Sequence, residues 1–312
     1  MAHTQSQRLA YGNTLVELAK ENNNIVVLEA DLSKSTMGSI FEAEFPERFF
    51  EMGIAEANMA SVAAGLALEG FIPFMATFAV FATGRCYDQI RTGICIPRLN
   101  VKICGSSAGL SDYGDGSTHQ SVDDIALMRV LPNMQVFSPA DAVQLKQIVK
   151  YMASHKGPMY VRVNRNELPI YTDEAASFDP KRAYVLKEGS DAAIFATGSM
   201  VHRAMEASRT LEAEGISVRV INIPTLKPMY AEELKPLAHG VKALVSAEEH
   251  SRIGGLGSAL AELFKDMPHP PLDILALDDV FGTSALNYEE LLLHYGLTAA
   301  NLRTIIKHRL AQ

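Results

Sequence analysis

Short apolar runs alternate with longer helix-patterned stretches through most of this chain, and that alternation narrows its fold more than any other feature. The runs are Ile25–Ala30, Ile72–Thr77, Val101–Cys104, Met134–Phe137 and Pro158–Val163, then Ala192–Ala196, Val218–Ile223, Ala243–Ser246 and Ile274–Leu277. The spacing predicts helices over Arg8–Lys20, where Leu9, Leu15, Val16 and Leu18 recur, over Phe78–Arg91, and over Met200–Glu214, where Met200, Ala204, Ala207 and Leu211 share a face. Tyr288–Tyr295 and Ala299–Leu310 read as two more, and Ser138 and Pro139 as the N-cap and first position of another. Strands alternating with helices imply parallel sheets covered on both faces. Between Asn166 and Gly189 the pattern dissolves into Pro, Asp, Ser and Lys. The expectation is an α/β protein of two domains with mainly parallel sheets flanked by helices: residues 1–172, a linker at 173–189, and residues 190–312.

With 312 residues, 48% of them hydrophobic and 21% charged, the chain has ample material for a sizeable core. A net charge of −8 argues against nucleic acid or an anionic membrane as partner. Cys86, Cys95 and Cys104 are odd in number and form no C-x-x-C pair, so they read as buried reduced thiols. No apolar h-region stands near Met1 and no run approaches the ~20 residues that span a bilayer, so a cytoplasmic chain is expected.

In open α/β sheets ligands bind outside the carboxyl ends of the strands. Asp31, the loop from Gly105 to His119, and Arg165 all sit just past predicted strand ends. Glu56 stands at the mouth of the small, apolar segment Ala60–Leu68, which reads as a buried helix. Burial raises a carboxyl pKa, which suits proton transfer; alternatively, a first-turn Glu only complements the helix dipole. Phe78 and Phe81, three apart, share one face of the predicted helix and either clamp a flat ring or belong to the core. Asp115 and His119 lie in the polar loop Gly114-Asp115-Gly116-Ser117-Thr118-His119-Gln120, either as ligand contacts or in a plain surface turn. Arg165 suits a phosphate or carboxylate, or else forms a structural ion pair.

Two glycine motifs do not carry their usual meaning. Gly254-Gly255-Leu256-Gly257 lacks the third glycine of a dinucleotide loop, because Leu260 holds its place. Gly114-Asp115-Gly116 looks like the start of a thiamine diphosphate pyrophosphate motif, but no Asn follows at the matching stretch Ala140–Val143.

Gly53-Ile54-Ala55-Glu56-Ala57-Asn58, Thr77-Phe78 through Phe81, Asp115-Gly116-Ser117-Thr118-His119-Gln120 and Arg165-Asn166-Glu167-Leu168-Pro169 stand in the order and spacing of transketolases. The whole chain resembles the C-terminal half of that family, a thiamine diphosphate-binding pyrimidine domain followed by the transketolase C-terminal domain. Ser246-Ala247-Glu248-Glu249-His250 with the glycines after it, and Tyr295-Gly296-Leu297-Thr298, are similar to that last domain.

The resemblance implies the small subunit of a split, cytoplasmic transketolase. Such an enzyme moves a two-carbon ketol unit from a ketose, expected as its phosphate, to an aldose. Its partner would be an N-terminal subunit carrying the pyrophosphate-binding domain, which would hold the diphosphate and a divalent cation such as Mg2+. The assembly would be a hetero-oligomer with two copies of each subunit, or one built on a homodimeric core of this chain.

By the same resemblance, Glu56 hydrogen-bonds the aminopyrimidine nitrogen of thiamine diphosphate and favours the imino form that activates the thiazolium carbon. Phe78 and Phe81 pack on the aminopyrimidine, and Asp31 lies near the thiazolium and substrate. Asp115 and His119 contact the donor sugar, with His119 near the reacting carbon, and Ser35 and Arg165 hold the substrate phosphate. Three departures stand out: Gln7 and Ser107 align with an Arg and a His of the family's phosphate site, and Gly84 with a Tyr of its pyrimidine pocket. A deoxyxylulose-phosphate-synthase-like subunit, a 2-oxo-acid dehydrogenase β subunit and a non-catalytic assembly partner are the competing readings. The Asp115–Gln120 loop argues against the dehydrogenase.

Overall fold

In the computed structural model, which describes residues 3–312, the strands are β1 (Thr4–Ser6), β2 (Ile25–Glu29), β3 (Phe49–Glu51), β4 (Ile72–Phe78), β5 (Lys102–Ser106), β6 (Gln135–Phe137), β7 (Met159–Arg162), β8 (Glu167–Pro169), β9 (Tyr184–Lys187), β10 (Ala192–Ala196), β11 (Val218–Asn222), β12 (Thr225–Lys227), β13 (Ala243–Ser251) and β14 (Leu272–Leu277). Among the described residues they form a seven-stranded sheet ordered β12-β6-β7-β5-β4-β2-β3, a five-stranded sheet ordered β14-β13-β10-β11-β9, and a two-stranded pair of β1 with β8. Every neighbour pair in the two large sheets is parallel except β12 with β6 and β9 with β11. Both are the expected mainly parallel sheets.

Helices cover both faces because the strands are apolar on both. On one face of the larger sheet, helices Gln7–Glu21 and Ala142–Ser154 bury Tyr11, Leu15, Ile148 and Met152 against Val27, Phe74 and Val161. On the other, helix Glu56–Leu68 and the 81–95 segment bury Met59, Ala63, Ile90 and Ile94 against Leu28, Met75 and Ile103. That second core runs on without a break into Phe195, Ile221, Leu260 and Phe264 of the smaller sheet's layer. The three cysteines are free and buried.

Four local readings need correction. The predicted helix Phe78–Arg91 does not form as such. Phe78 ends β4, paired with Ser106 in the ladder, and the chain then winds through π-helical turns at Phe81–Arg85 and Ile90–Cys95 around one short α-helical turn, Tyr87–Gln89. The residues before Phe78 are apolar, and the ladder extends their strand to the site edge. Ser138 does not cap a helix and Pro139 does not begin one. The backbone N–H of Ser138 donates to Pro224 O, while Asp141 caps helix Ala142–Ser154 by accepting from Gln144 N at 2.8 Å.

Residues 173–189, read as a linker, include β9, which pairs with β11. The chain also returns: β12, unforeseen, adds an edge strand from the second half to the first sheet.

The glycine turn at Gly254–Gly257 holds its own anion. Glu248 accepts from Leu256 N at 2.5 Å and Gly257 N at 2.8 Å, and a Cβ on Gly255 would collide with its Oε2. An internal carboxylate thus takes the helix N-terminus that an exogenous anion would otherwise use.

Asp141 does more than cap. It is fully buried, and its Oδ2 accepts from Tyr171 N, Thr172 N and Thr172 Oγ1 at 2.8–2.9 Å. Asp141→Ala removes the cap and leaves these donors unpaired. The expected loss is about 3 kcal/mol of unfolding free energy, checked by urea denaturation followed by circular dichroism.

Candidate functional site

The parallel strands β3, β2, β4, β5 and β7 lie side by side and point the same way, so the segments leaving their carboxyl ends share one edge of the sheet. Asp31 and Ser35 follow β2, Glu56 follows β3, Phe81 follows β4 with Phe78 as its last residue, Asp115 and His119 follow β5, and Arg165 follows β7. Sequence positions far apart therefore meet at one place.

The centre of that edge is aromatic. Phe78 and Phe81 stack with centroids 6.1 Å apart and planes 13° from parallel. His119 meets both edge-on, at 6.2 Å and 5.4 Å, and its Nδ1 lies 2.8 Å from Thr118 Oγ1. Glu56 opens its helix with only 4% of its surface exposed, as its apolar surroundings required. It does not stand free: Arg85 Nη1 donates to Glu56 Oε1 at 2.8 Å, and the same guanidinium lies 4.0 Å over the Phe81 ring.

Arg85 belongs to none of the motifs read from the sequence. The guanidinium is flat, carries N–H groups, rests on Phe81 and donates to Glu56. A flat nitrogen heterocycle with a protonated ring nitrogen makes the same two contacts, so this corner suits such a ring.

A second cluster is charged. Arg165 sits 5.6 Å over the other aromatic, Phe78, and its Nη1 is 3.1 Å from Asp112 Oδ2. Arg8, in the first turn of helix Gln7–Glu21, donates to Ser35 O at 2.7 Å, while its buried Nε finds no partner among the described residues. Burial, then the like charge of Arg165, lowers the Arg8 pKa from its ordinary value, and Asp112 partly offsets this.

Gln7 faces inward instead. It is buried, with Nε2 donating to Pro139 O at 3.0 Å and Oε1 accepting from Asn164 N at 2.7 Å. One residue on, helical rotation turns the Arg8 side chain the other way, to Ser35 O at the strand ends. Ser107 is fully buried with φ +53°, and its hydroxyl has no partner among the described residues.

Asp31 and Ser35 reach the edge from its far side. Asp31 is exposed, at φ +59°, and its N–H donates to Glu51 Oε1 at 2.7 Å. The same oxygen takes Gly53 N at 2.9 Å, so Glu51 ties the Asp31 turn to the loop that leads into Glu56. Asp115 is exposed, and its charge acts on the Asp112 carboxyl together with Arg165 and His119.

The 107–119 loop is fastened from the second half of the chain. Glu249, buried, accepts from Leu110 N at 2.6 Å, Tyr288 Oη at 2.5 Å and the Ser199 hydroxyl, and its own carbonyl accepts from Arg162 Nη2 at 3.1 Å. Arg162 in turn pairs with Asp124 at 2.7 Å. Burial pushes the Glu249 carboxyl up from its ordinary value while these donors hold it down. The groove between helices Gln7–Glu21 and Ala142–Ser154 shares none of the expected site residues, and its Lys146 and Lys150 are paired to Glu17.

Residues 3–170 match the family described as transketolase, pyrimidine binding domain, and residues 181–302 match transketolase, C-terminal domain. The chain belongs to the transketolase family. A solved structure named as a split gene transketolase, in the form of an inactive beta4 tetramer, is 49% identical, with a TM-score of 0.89 and 99% of each chain covered. The 6-deoxy-6-sulfo-D-fructose transketolase subunit SqwH of a Clostridium species is 38% identical over 95% of this chain and 91% of its own. One subunit of the apulose-4-phosphate transketolase of Phocaeicola vulgatus is 35% identical over 93% of each.

In this transketolase-family site the Glu56–Arg85 pair joins a buried carboxylate to a cation that is 49% exposed. Arg85→Met is expected to lower stability by about 1–2 kcal/mol, reduced from a fully buried pair by solvent screening. The change is read as a shift in the urea midpoint at constant slope.

Proposed function

We propose that this chain is the pyrimidine-domain subunit of a two-chain transketolase, moving a two-carbon ketol unit from a ketose donor to an aldose acceptor. The single observation that carries the reading is the corner formed by Glu56 and Phe81, already filled by a flat, N–H-bearing group of the chain itself. The order of the motifs and the subunit-sized relatives support it. Transketolases depend on thiamine diphosphate, and the pyrimidine end of that cofactor fits the corner in chemistry.

The chemistry that thiamine diphosphate supplies when bound is a nucleophilic carbon able to accept the ketol unit. Phe78 and Phe81 give a flat ring an apolar face and keep water from it. Glu56, buried, holds a proton on the ring nitrogen it faces, which requires Arg85 to yield its hydrogen bond. His119, edge-on to both rings, offers a ring nitrogen to the donor's carbonyl or hydroxyl, with Asp115 beside it and Asp31 across the edge as further polar contacts. Ser35, Arg165 and Arg8 form the end that binds the substrate's charged group.

The diphosphate and its divalent cation, Mg2+, are assigned to the pyrophosphate domain of a separate subunit. Among the described residues no group of three or more His, Cys, Asp or Glu side chains is placed to hold a metal ion. A site shared between two domains on different chains needs both subunits, and the assembly proposed has two copies of each chain or is built on a homodimeric core of this one. Among the described residues no helix is long and apolar enough to cross a membrane. The relatives are named for a sulfonated and a phosphorylated sugar, so family membership leaves the charged end of the substrate open.

The test combines the chain with its pyrophosphate-domain partner, thiamine diphosphate and Mg2+, and follows ketol transfer. Glu56→Gln keeps the shape and removes the charge. It is expected to lower kcat by about a hundredfold or more. Full activity in that variant would overturn the role given to Glu56.

A further inference from the structure

We propose that Asp112 sets the charge this site accepts at the far end of its sugar substrate, favouring a singly charged anion of the sulfonate type over a phosphate dianion. The inference rests on the ketol-transfer reading and narrows its substrate class.

Asp112 belongs to none of the motifs legible in the sequence. It sits between the glycine turn and the strand end, with its side chain only 4% exposed and its Oδ2 3.1 Å from Arg165 Nη1. Arg165 is presented to the edge, about one-third exposed (32%), with that nitrogen already engaged. Arg8 supplies the second guanidinium, tied by Nη1 to Ser35 O and with Nε unpartnered among the described residues. Two guanidinium charges against the Asp112 carboxylate leave at most one net positive charge at this end, and the neighbouring Asp115 carboxylate lowers it further.

A phosphate monoester carries roughly −1.5 to −2 at neutral pH. Bound beside Arg165, it would share that guanidinium with the Asp112 carboxylate and set like charges against each other. It could not take both edges of the Arg165 fork without stripping Asp112 of its counter-charge, and a carboxylate so deeply buried is costly to leave unpaired. Burial already pushes the Asp112 carboxyl above its ordinary value, with Arg165 opposing, and the neighbouring Asp115 adds to the push. A sulfonate offers the same three acceptor oxygens with a single permanent charge. It can bind Arg8 and the free edge of Arg165, and it leaves the Asp112–Arg165 pair in place.

Arg8, Arg165 and Asp112 all lie on this chain, so the first measurement needs no partner. Methanesulfonate and methyl phosphate are titrated into the full chain and followed by NMR chemical shifts. The wild type is expected to bind methanesulfonate about tenfold more tightly, and Asp112→Asn to reverse the order. A wild type that prefers methyl phosphate, or that saturates with neither anion, overturns the proposal, and this ranking needs no variant to fold.

The second measurement uses the assembled enzyme with ketose donors matched in carbon number and ending in sulfonate or phosphate. Asp112→Asn is expected to lower KM for the phosphate donor about tenfold with kcat retained. Equal changes for both donors would mark Asp112 as merely structural and overturn the proposal. Correct anion ranking on the chain with no transfer from any donor would sink the ketol-transfer reading and leave the anion preference standing.

Discussion

Parallel strands cannot be joined by tight turns, and the rest of this structure depends on that constraint. Each crossover must climb over the sheet, so the chain always leaves a strand at the same edge. Five neighbouring parallel strands, β3, β2, β4, β5 and β7, therefore deliver five separate segments to one line. These segments bring both apolar and polar side chains to that line: Phe81 and Leu110 stand among Glu56, Asp115, His119 and Arg165. The sheet itself is buried on both faces, which makes the edge rigid. The aromatic pair, the carboxylate and the arginines acquire their mutual geometry from this register, with no direct sequence relation between them.

The second half of the chain completes the first. Its sheet carries Glu249, whose carboxylate takes the backbone N–H of Leu110 and so fastens the loop that bears Asp112, Asp115 and His119. Arg162, at the carboxyl end of β7, reaches across to the carbonyl of Glu249 and pairs with Asp124. Buried charges of this kind add little net stability when paired, yet cost much when one partner is lost. Their effect here is positional: they make the loop's place depend on both halves at once. β12, borrowed from the second half into the first sheet, and the continuous core serve the same end.

Much of this was legible in the residues. Period and composition identified the α/β class, most strands and the helices at Met200 and Ala299, because a strand buried on both faces must be apolar throughout. The buried position of Glu56 followed from the small apolar residues after it. Where local pattern and structure part, a neighbour decided the matter. Phe78 belongs to a strand because Ser106 lies beside it in the ladder. Asp141 displaced Ser138 as a cap because its carboxylate also serves Tyr171 and Thr172. β9 lies hidden inside a polar stretch because it is a half-buried edge strand, and such strands carry a weak pattern.

The sequence by itself determined the kind of sheet, the family, and the set of residues at strand ends, since local spacing and residue type carry all three. It also put the polar loops after the strands, where ligands bind in such sheets. Only the tertiary structure decided which partner each charged side chain meets. Arg85 against Glu56, Arg8 against Ser35, Asp112 against Arg165 and Glu249 behind Leu110 join positions 29, 27, 53 and 139 apart. Coulomb interactions depend on separation in space, and a linear chain does not encode that separation until the sheet has closed its register.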